Sequence, residues 1–327
     1  MTYRLLLPLL TVLATFAGGC SLPSLLIQPV SNSPELQETV VLPGKTDRQK
    51  IAVIEVEGML VNARTGGGLL GAEENKVSRF RQQLERAAND GRVKGIVLRI
   101  NSPGGTVAAS QAMYGDLAKY KEVTGKPVVA ACQDVAASGG YYVALAADEI
   151  HATPSSVVGS IGVIFNTIDA SELMAKLGVS VNAITSGPLK DMGSPFNGLG
   201  EEEREVMQGM VDELYGQFTD AVQAQRTVED PQTAFDGRVF TGTGALDAGL
   251  IDRVCDLDAS INRARELAGA PGAAAVMYKR PYGYRGSLYA QSPVSEGPAA
   301  SPVVVDVPGL SDVARMLQPG AYYLWMP

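Results

Sequence analysis

Hydrophobic positions along this chain recur with two different periods, and the two periods alternate. Dense runs of Ile and Val predict buried strands, whereas apolar residues three and four positions apart predict helices with one buried face. The predicted strands lie at 50–58, 94–101, 127–134, 149–153, 161–167 and 179–187. The predicted helices lie at 77–88, 106–123, 170–178 and 201–226, and 241–254 holds a short helix followed by a last strand.

This alternation predicts an α/β fold with a mostly parallel sheet, because helical crossovers are what connect parallel strands. We place one domain at 49–270. We interpret residues 21–48, rich in Ser, Pro, Leu and Gln, as a tether, and 271–327 as a Pro/Gly/Ala-rich tail that begins without fixed structure. The tail ends in AYYLWMP, residues 321–327, which either docks on the protein or at a membrane interface, or stays a disordered apolar end.

The composition argues against several classes of function. The formal net charge is −8 at pH 7 and the pI is near 4.9, which argues against a nucleic-acid partner. The three cysteines, Cys20, Cys132 and Cys255, include no CxxC pair, and the single histidine, His151, cannot anchor a His-rich metal site. We therefore expect no cofactor, and we favour two buried free thiols over a disulfide between Cys132 and Cys255.

The first 20 residues carry a positive residue, Arg4, then an apolar run at 5–17 and small residues before Cys20. The run is too short to cross a bilayer and is typical of a secretory signal. Because it ends in Ala-Gly-Gly-Cys, the segment resembles a bacterial lipoprotein signal, which implies cleavage before a lipid-modified Cys20. We therefore expect a lipid anchor on the extracytoplasmic face of a bacterial membrane. The alternative is an ordinary cleaved signal with an incidental cysteine.

The stretch DVAASGGYY, residues 134–142, leaves one small hydroxyl, Ser138, between alanines and a glycine pair. Ser138 follows a predicted strand and precedes a predicted helix, a placement that exposes a nucleophile. The N–H of Gly139, and those of the turn INSPGG at 100–105, are then available to hold a developing oxyanion. The other interpretation of Ser138 is a plain helix N-cap.

A nucleophilic serine needs a base, and the only histidine lies within a predicted strand, which argues against a catalytic role for His151. Lys190 lies in the turn-rich loop SGPLKDMGSPF, residues 186–196. It can replace a histidine only if burial lowers the pKa of its amine by several units. Otherwise Lys190 is a solvated surface charge.

Four motifs, VLRINSPGGTV, DVAASGGYYVALAADEI, VGSIGVI and SGPLKDMGSPF, resemble in sequence and order those of signal peptide peptidase A, a membrane-bound Ser–Lys peptidase family. The resemblance covers residues 50–260 and implies a Clp/crotonase-like fold of repeated ββα units. It also implies the roles of five residues: Ser138 as nucleophile, Lys190 as general base, Ser160 as a hydrogen-bond partner of the lysine, and Gly105 and Gly139 as the oxyanion hole.

The same resemblance implies a homo-oligomer of eight subunits, in which the serine of one subunit meets the lysine of its neighbour. The implied partners are peptide substrates, in particular signal peptide remnants at the membrane, which are cleaved through an acyl-enzyme. The expected activity is therefore that of a serine endopeptidase.

Three alternatives compete with this interpretation. A Clp protease subunit shares INSPGG and a later serine, but it needs a downstream histidine that the stretch SSVVGSIGVI lacks. An enoyl-CoA hydratase-like enzyme needs a carboxylate near the glycines and has no use for Ser138 and Lys190. A catalytically inactive scaffold at the membrane, which keeps the fold without the chemistry, is the alternative from a different class.

Overall fold

Residues 35–63, 74–279 and 320–324 are described by the structure, a computed structural model of the chain. The strands are β1 Gln37–Leu42, β2 Thr46–Glu57, β3 Val93–Ser102, β4 Gly104–Thr106, β5 Val128–Ala137, β6 Glu149–Ala152, β7 Val157–Gly159, β8 Ile164–Asn166, β9 Val239–Thr241, β10 Arg253–Val254, β11 Ala273–Lys279 and β12 Gly320–Leu324. The helices are α1 Lys76–Asn89, α2 Val107–Thr124, α3 Gly139–Ala144, α4 Ser171–Lys176, α5 Glu201–Gln225, α6 Pro231–Ala234, α7 Gly242–Asp247 and α8 Leu257–Leu267.

The main sheet runs in the order β1-β11-β2-β3-β5-β6-β10, with β7 beside the end of β5 and β9 beside β7. The neighbours from β11 to β10 are parallel, and only β1 and β9 join antiparallel. This arrangement confirms the predicted α/β class with a mostly parallel sheet. A second, three-stranded sheet has the order β4-β12-β8.

Side chains of β2 alternate between two buried layers. Ala52, Ile54 and Val56 join the layer that contains residues of α1 and α2, whereas Ile51 and Val53 join the layer that contains residues of α8. Because the strand is buried on both faces, its sequence is a continuous Ile/Val run rather than an alternating one. The same holds for β3 and β5, and this rigid centre positions the residues that follow those strands.

The carboxyl ends of β3 and β5 lie side by side, since the two strands are parallel neighbours. The Pro-Gly-Gly turn follows β3, and Ser138 follows β5. Two motifs about 35 residues apart in sequence are thus brought to one edge of the sheet, which is where open α/β sheets place ligands.

Ordered structure extends beyond the predicted domain at 49–270. Strand β1 lies within the predicted tether, and β11 lies within the segment expected to lack fixed structure. Strand β11 is buried because it inserts between β1 and β2 in the main sheet. The predicted signal and Cys20 lie outside the described residues.

The predicted strand at 179–187 is absent. These residues have no regular structure, and Val179, Val181 and Ile184 are exposed. A strand needs a partner to satisfy its backbone, and the described part of the chain provides none for this segment. The predicted free thiols are correct, but only Cys132 is buried, whereas Cys255 is half-buried.

None of the helices in the described ranges combines the length and the apolarity needed to cross a bilayer.

Candidate active site

Ser138 lies at the sharp turn between β5 and α3. Its backbone has φ 50° and ψ −115°, a region that a residue with a side chain rarely adopts. The turn is held because the Ser138 N–H donates to the Gly159 carbonyl at 2.7 Å, and the Ser138 carbonyl accepts from the Tyr142 N–H at 2.9 Å. Such strain costs on the order of 1–3 kcal/mol and is concentrated at functional sites. A strand–turn–helix of this kind is how α/β hydrolases present a nucleophile.

The Ser138 hydroxyl is buried and unpaired. The residue is 1 % exposed, and Oγ has no hydrogen-bond partner in the described part of the chain. Although Ser138 stands at the N-cap position of α3, its side chain makes no capping hydrogen bond. The hydroxyl is therefore not used to cap the helix, and a buried hydroxyl that has no partner among the described residues needs another explanation.

The turn after β3 directs the backbone N–H of Gly105 away from Leu60. Leu60 donates its N–H to the Gly104 carbonyl and accepts from the Thr106 N–H, both at 2.8 Å. Because backbone polar groups alternate along a strand, the N–H and carbonyl of Gly105 must face the opposite edge. Gly105 is thus free of the Leu60 bridge, and its polar groups face Tyr323 of β12, so the oxyanion role of its N–H stays a prediction.

Ser102, a residue that the sequence analysis did not single out, fixes this turn. Its buried hydroxyl donates to the Gly58 carbonyl at 2.6 Å and accepts from the Gly104 N–H at 3.1 Å. Gly140 lies against the same residue, and a Cβ there would come within 2.7 Å of the Ser102 carbonyl oxygen. Ser102 therefore sets the distance between the Pro-Gly-Gly turn and α3. The only sequence signal for Ser102 is its position in the motif INSPGG.

The second predicted oxyanion donor, Gly139, is the first residue of α3 and is buried. The first N–H groups of a helix have no partner inside it, so the Gly139 N–H is available for the role that the motif implies.

Ser160 lies one residue from the carbonyl that holds Ser138. It also has a positive φ, 51°, and its N–H donates to the Arg238 carbonyl at 2.7 Å. The backbone thus links the nucleophile turn to the VGSIGVI motif through Gly159 and Ser160. No hydrogen bond joins Ser160 to Lys190 among the described residues of one chain.

Lys190 is exposed in the single chain. It lies in a turn in which its N–H donates to the Gly187 carbonyl at 3.2 Å. Within the ranges that the structure describes, no hydrogen bond connects Lys190 to Ser138. The desolvation that the sequence analysis requires of this amine is not provided by the single subunit.

His151 is engaged elsewhere. It is fully buried in β6, with Nδ1 3.0 Å from Ser260 Oγ and Nε2 3.0 Å from Glu149 Oε2. Burial lowers the pKa of the imidazole, against the opposing effect of Glu149. The residue joins α8 to the sheet, in agreement with the expectation that it is not the base.

The contact of Glu149 with Arg263 makes fold stability sensitive to acid. Hydrogen bonds from the Arg263 guanidinium, aided by His151, lower the pKa of the Glu149 carboxyl from 4.5 to about 2. The stabilisation is present above the ordinary pKa and is lost as pH falls from about 4.5 towards 2. We expect Glu149→Gln to lower the free energy of unfolding at pH 7 by about 1–2 kcal/mol, allowing for solvent screening.

Urea unfolding at pH 7 and pH 3 measures this effect. The Glu149→Gln protein should lose less stability than the parent between the two pH values. Glu85→Gln, an exposed change on α1, is the matched control and should stay within about 0.5 kcal/mol at pH 7. An equal pH response in the parent and in Glu149→Gln would contradict the assignment.

The sequence of this chain is similar to those of known peptidases. The model of the family described as "Peptidase family S49" matches residues 121–271, and that of "Clp protease" matches 59–158. The chain is 36% identical over 225 residues to "Putative signal peptide peptidase SppA" of Enterococcus faecium, covering 68% of this chain and 64% of that protein. It is 37% identical over 233 residues to "Putative protease slr0021" of Synechocystis, covering 70% of this chain and 79% of that protein.

The chain also matches "Protease 4" of Salmonella typhi, with 36% identity over 222 residues, covering 67% of this chain but only 34% of that protein. The matched part therefore spans just under two thirds of the Enterococcus protein and about one third of Protease 4. The matches confirm the resemblance drawn from the four motifs and the Clp-like fold, and they support a serine endopeptidase.

Proposed function

Since this chain belongs to peptidase family S49, we propose that it cleaves peptide bonds with Ser138 as nucleophile and Lys190 as general base. The observation that carries the proposal is the Ser138 hydroxyl, which is buried on a strained turn and has no hydrogen-bond partner among the described residues. The N–H of the neighbouring Gly105, directed away from Leu60, is the hydrogen-bond donor that would stabilise the oxyanion.

The chemistry proceeds in two halves. The neutral Lys190 amine accepts the Ser138 proton as Oγ attacks the peptide carbonyl carbon, and the oxyanion accepts hydrogen bonds from the N–H groups of Gly105 and Gly139. The intermediate collapses as the C–N bond breaks, and the Lys190 ammonium returns the proton to the leaving amine. Water, deprotonated by the same amine, then hydrolyses the acyl-enzyme ester and restores the Ser138 hydroxyl.

Lys190 can act as a base only where water is excluded from its amine. The segment around it carries an apolar surface that a neighbouring subunit would cover, since exposed apolar patches mark interaction sites. The exposed large apolar residues between 168 and 210 are Ile168, Leu173, Leu177, Val179, Val181, Ile184, Phe196, Val206 and Met210. We therefore place the working site between subunits of a homo-oligomer, of eight subunits by the family resemblance.

The proposed substrates are peptides near a membrane, including signal peptide remnants. These substrates are supported by the family resemblance and by the Enterococcus relative, a putative signal peptide peptidase. A lipid on Cys20 would hold the enzyme at the extracytoplasmic face of a bacterial membrane, close to such apolar peptides.

A fluorophosphonate probe tests the proposal directly, because it reacts with an activated serine and leaves a covalent label. We expect the wild-type protein to be labelled and Ser138→Ala to lose the label completely. Ser171→Ala, which removes another serine hydroxyl at the start of α4, is the control and should label as the wild type does. No labelling of the wild type would favour the inactive scaffold, and equal labelling of wild type and Ser138→Ala would show that the reactive residue is not Ser138.

A further inference from the structure

A second group of reactive side chains lies outside the proposed peptidase site, where β10 ends and α8 begins. Cys255, the half-buried thiol, has its Sγ 3.5 Å from His151 Nδ1 and 3.5 Å from Ser260 Oγ. Its backbone N–H donates to the Ala152 carbonyl at 2.8 Å, which fixes the thiol beside β6. A partly accessible thiol is therefore within hydrogen-bond reach of a fully buried imidazole that the peptidase mechanism does not use.

The imidazole is held in one orientation and one tautomer. Nε2 of His151 lies 3.0 Å from Glu149 Oε2, and the Arg263 guanidinium donates to the other carboxylate oxygen at 2.6 Å. The hydrogen bonds from Arg263 and His151 lower the pKa of the Glu149 carboxyl to about 2. This carboxylate is ionised at neutral pH and can only accept, so Nε2 carries the proton. Burial lowers the pKa of His151 and keeps the imidazole neutral, so Nδ1 presents a lone pair towards Cys255 and Ser260.

The thiol proton has a hydrogen-bonded path to this lone pair in each arrangement of the protons. In one, the thiol donates directly to His151 Nδ1 while the Ser260 hydroxyl donates to the Asp256 carbonyl at 2.9 Å. In the other, the Ser260 hydroxyl donates to Nδ1 at 3.0 Å and accepts the thiol proton. A nucleophile, a base within hydrogen-bond reach and a third group that orients the base are the signature of an activated nucleophile. Here these groups are Cys255, His151 and Glu149.

The position of Cys255 in the chain also favours an anionic sulfur. The residue directly precedes Asp256, the N-cap of the 11-residue helix α8, and a helix N-terminus favours an anion such as a thiolate. Cys132, the other cysteine in the described ranges, is fully buried, and burial raises the pKa of its thiol to about 12. Of these two thiols, only Cys255 combines access to solvent with a neighbouring base.

We propose that Cys255 is a modification site that forms mixed disulfides with small disulfide compounds, with His151 as the base. His151 Nδ1 accepts the thiol proton, directly or through Ser260, and the Cys255 sulfur attacks one sulfur of the compound. The S–S bond of the compound breaks as the new S–S bond forms, and the departing thiolate takes the proton from the imidazolium. One thiol and one disulfide thus give one mixed disulfide and one thiol. The step needs neither Ser138 nor Lys190 and is independent of the proposed peptidase chemistry.

A comparison of the folded protein with a peptide tests whether the thiol is activated. The peptide IDRVCDLDAS, residues 251–260, keeps the neighbouring charges of Cys255 but lacks His151. At pH 6 an ordinary thiol is almost entirely protonated, so Cys255 in the folded chain should react with dithiobis(nitrobenzoate) about tenfold faster than the peptide does. Peptide mapping by mass spectrometry after treatment with glutathione disulfide should find the adduct on Cys255, and none on Cys132 while the chain is folded. Reaction of folded Cys255 no faster than the peptide would overturn the proposal.

A substitution of the base tests its role. His151→Asn should slow the reaction of Cys255 with dithiobis(nitrobenzoate) at pH 6 about tenfold, to the rate of the peptide, because no imidazole then accepts the thiol proton. Asn262→Ala, a change at an exposed residue of α8, is the matched control and should react as the wild type does. Thermal unfolding reports whether each variant is folded, and the comparison of wild type with peptide decides the proposal if His151→Asn does not fold. A folded His151→Asn protein that reacts as fast as the wild type would overturn it.

Discussion

Ser138→Ala and Lys190→Ala proteins, each inactive alone, should regain peptidase activity when they are assembled together. Each single change removes one member of a dyad that acts as a unit, so each should lower kcat by at least about 10³-fold. In a ring that joins the serine of one subunit to the lysine of the next, a 1:1 random mixture leaves both groups intact at about a quarter of the sites. The measurement is peptide hydrolysis by co-expressed, co-purified subunits.

A second mixture distinguishes shared sites from sites within one chain. Wild type assembled 1:1 with a protein that carries both substitutions should retain about a quarter of the wild-type activity if sites are shared, and about half if each chain contains its own site. Native mass spectrometry confirms that the complexes are mixed. Mixed complexes of the two single variants without recovered activity would show that serine and lysine do not meet across an interface.

These mixtures test the role of Lys190, which the structure of a single chain does not bring to Ser138. Lys190 was identified from its motif alone, and in the structure of one subunit its side chain is exposed. Burial of an amine depends on what packs over it, which sequence periodicity does not encode. The apolar residues Val179, Val181 and Ile184 were predicted as a strand for the same reason: their pattern requires burial but does not specify the partner.

The centre of the fold was predictable because its signals are local. Strands β2, β3 and β5 are dense in Ile, Val and Ala and lie where the sequence placed them, and the position of Ser138 followed from the end of β5. Strand β11 was missed because Ala273–Lys279 follows a Pro-Gly pair and begins with three alanines. Its order comes from insertion between β1 and β2, a contact between segments more than 200 residues apart.

The Pro-Gly-Gly turn at 103–105 also combines a local signal with a contact that the sequence does not reveal. The glycines of INSPGG were recognised, but Leu60, which bridges Gly104 and Thr106, carries no sequence signal. An ordinary leucine after a strand becomes part of the site only because its backbone meets the turn. Position 105 requires glycine for the same reason, because a side chain there would collide with the Leu60 backbone.

Gly105→Ala should lower both kcat and the stability of the fold. A Cβ at this position would lie 1.9 Å from the Leu60 carbonyl oxygen and 2.5 Å from the Leu60 nitrogen. Backbone atoms cannot rotate away as a side chain does, so the turn must move off Leu60 and carry the Gly105 N–H with it. Loss of one oxyanion donor costs about 10²–10³-fold in kcat, and forced overpacking costs about 1–3 kcal/mol of stability.

Gly115→Ala is the matched control for that prediction. It adds the same methyl group on the exposed face of α2, where a Cβ meets no atom within 4 Å, and should raise stability by up to about 1 kcal/mol without changing kcat. Thermal unfolding reports whether each variant is folded, and kcat is compared at a temperature where both are. If folded Gly105→Ala retained wild-type kcat, the turn would not be the oxyanion hole, because no arrangement that keeps the Leu60 bridge accommodates the added carbon.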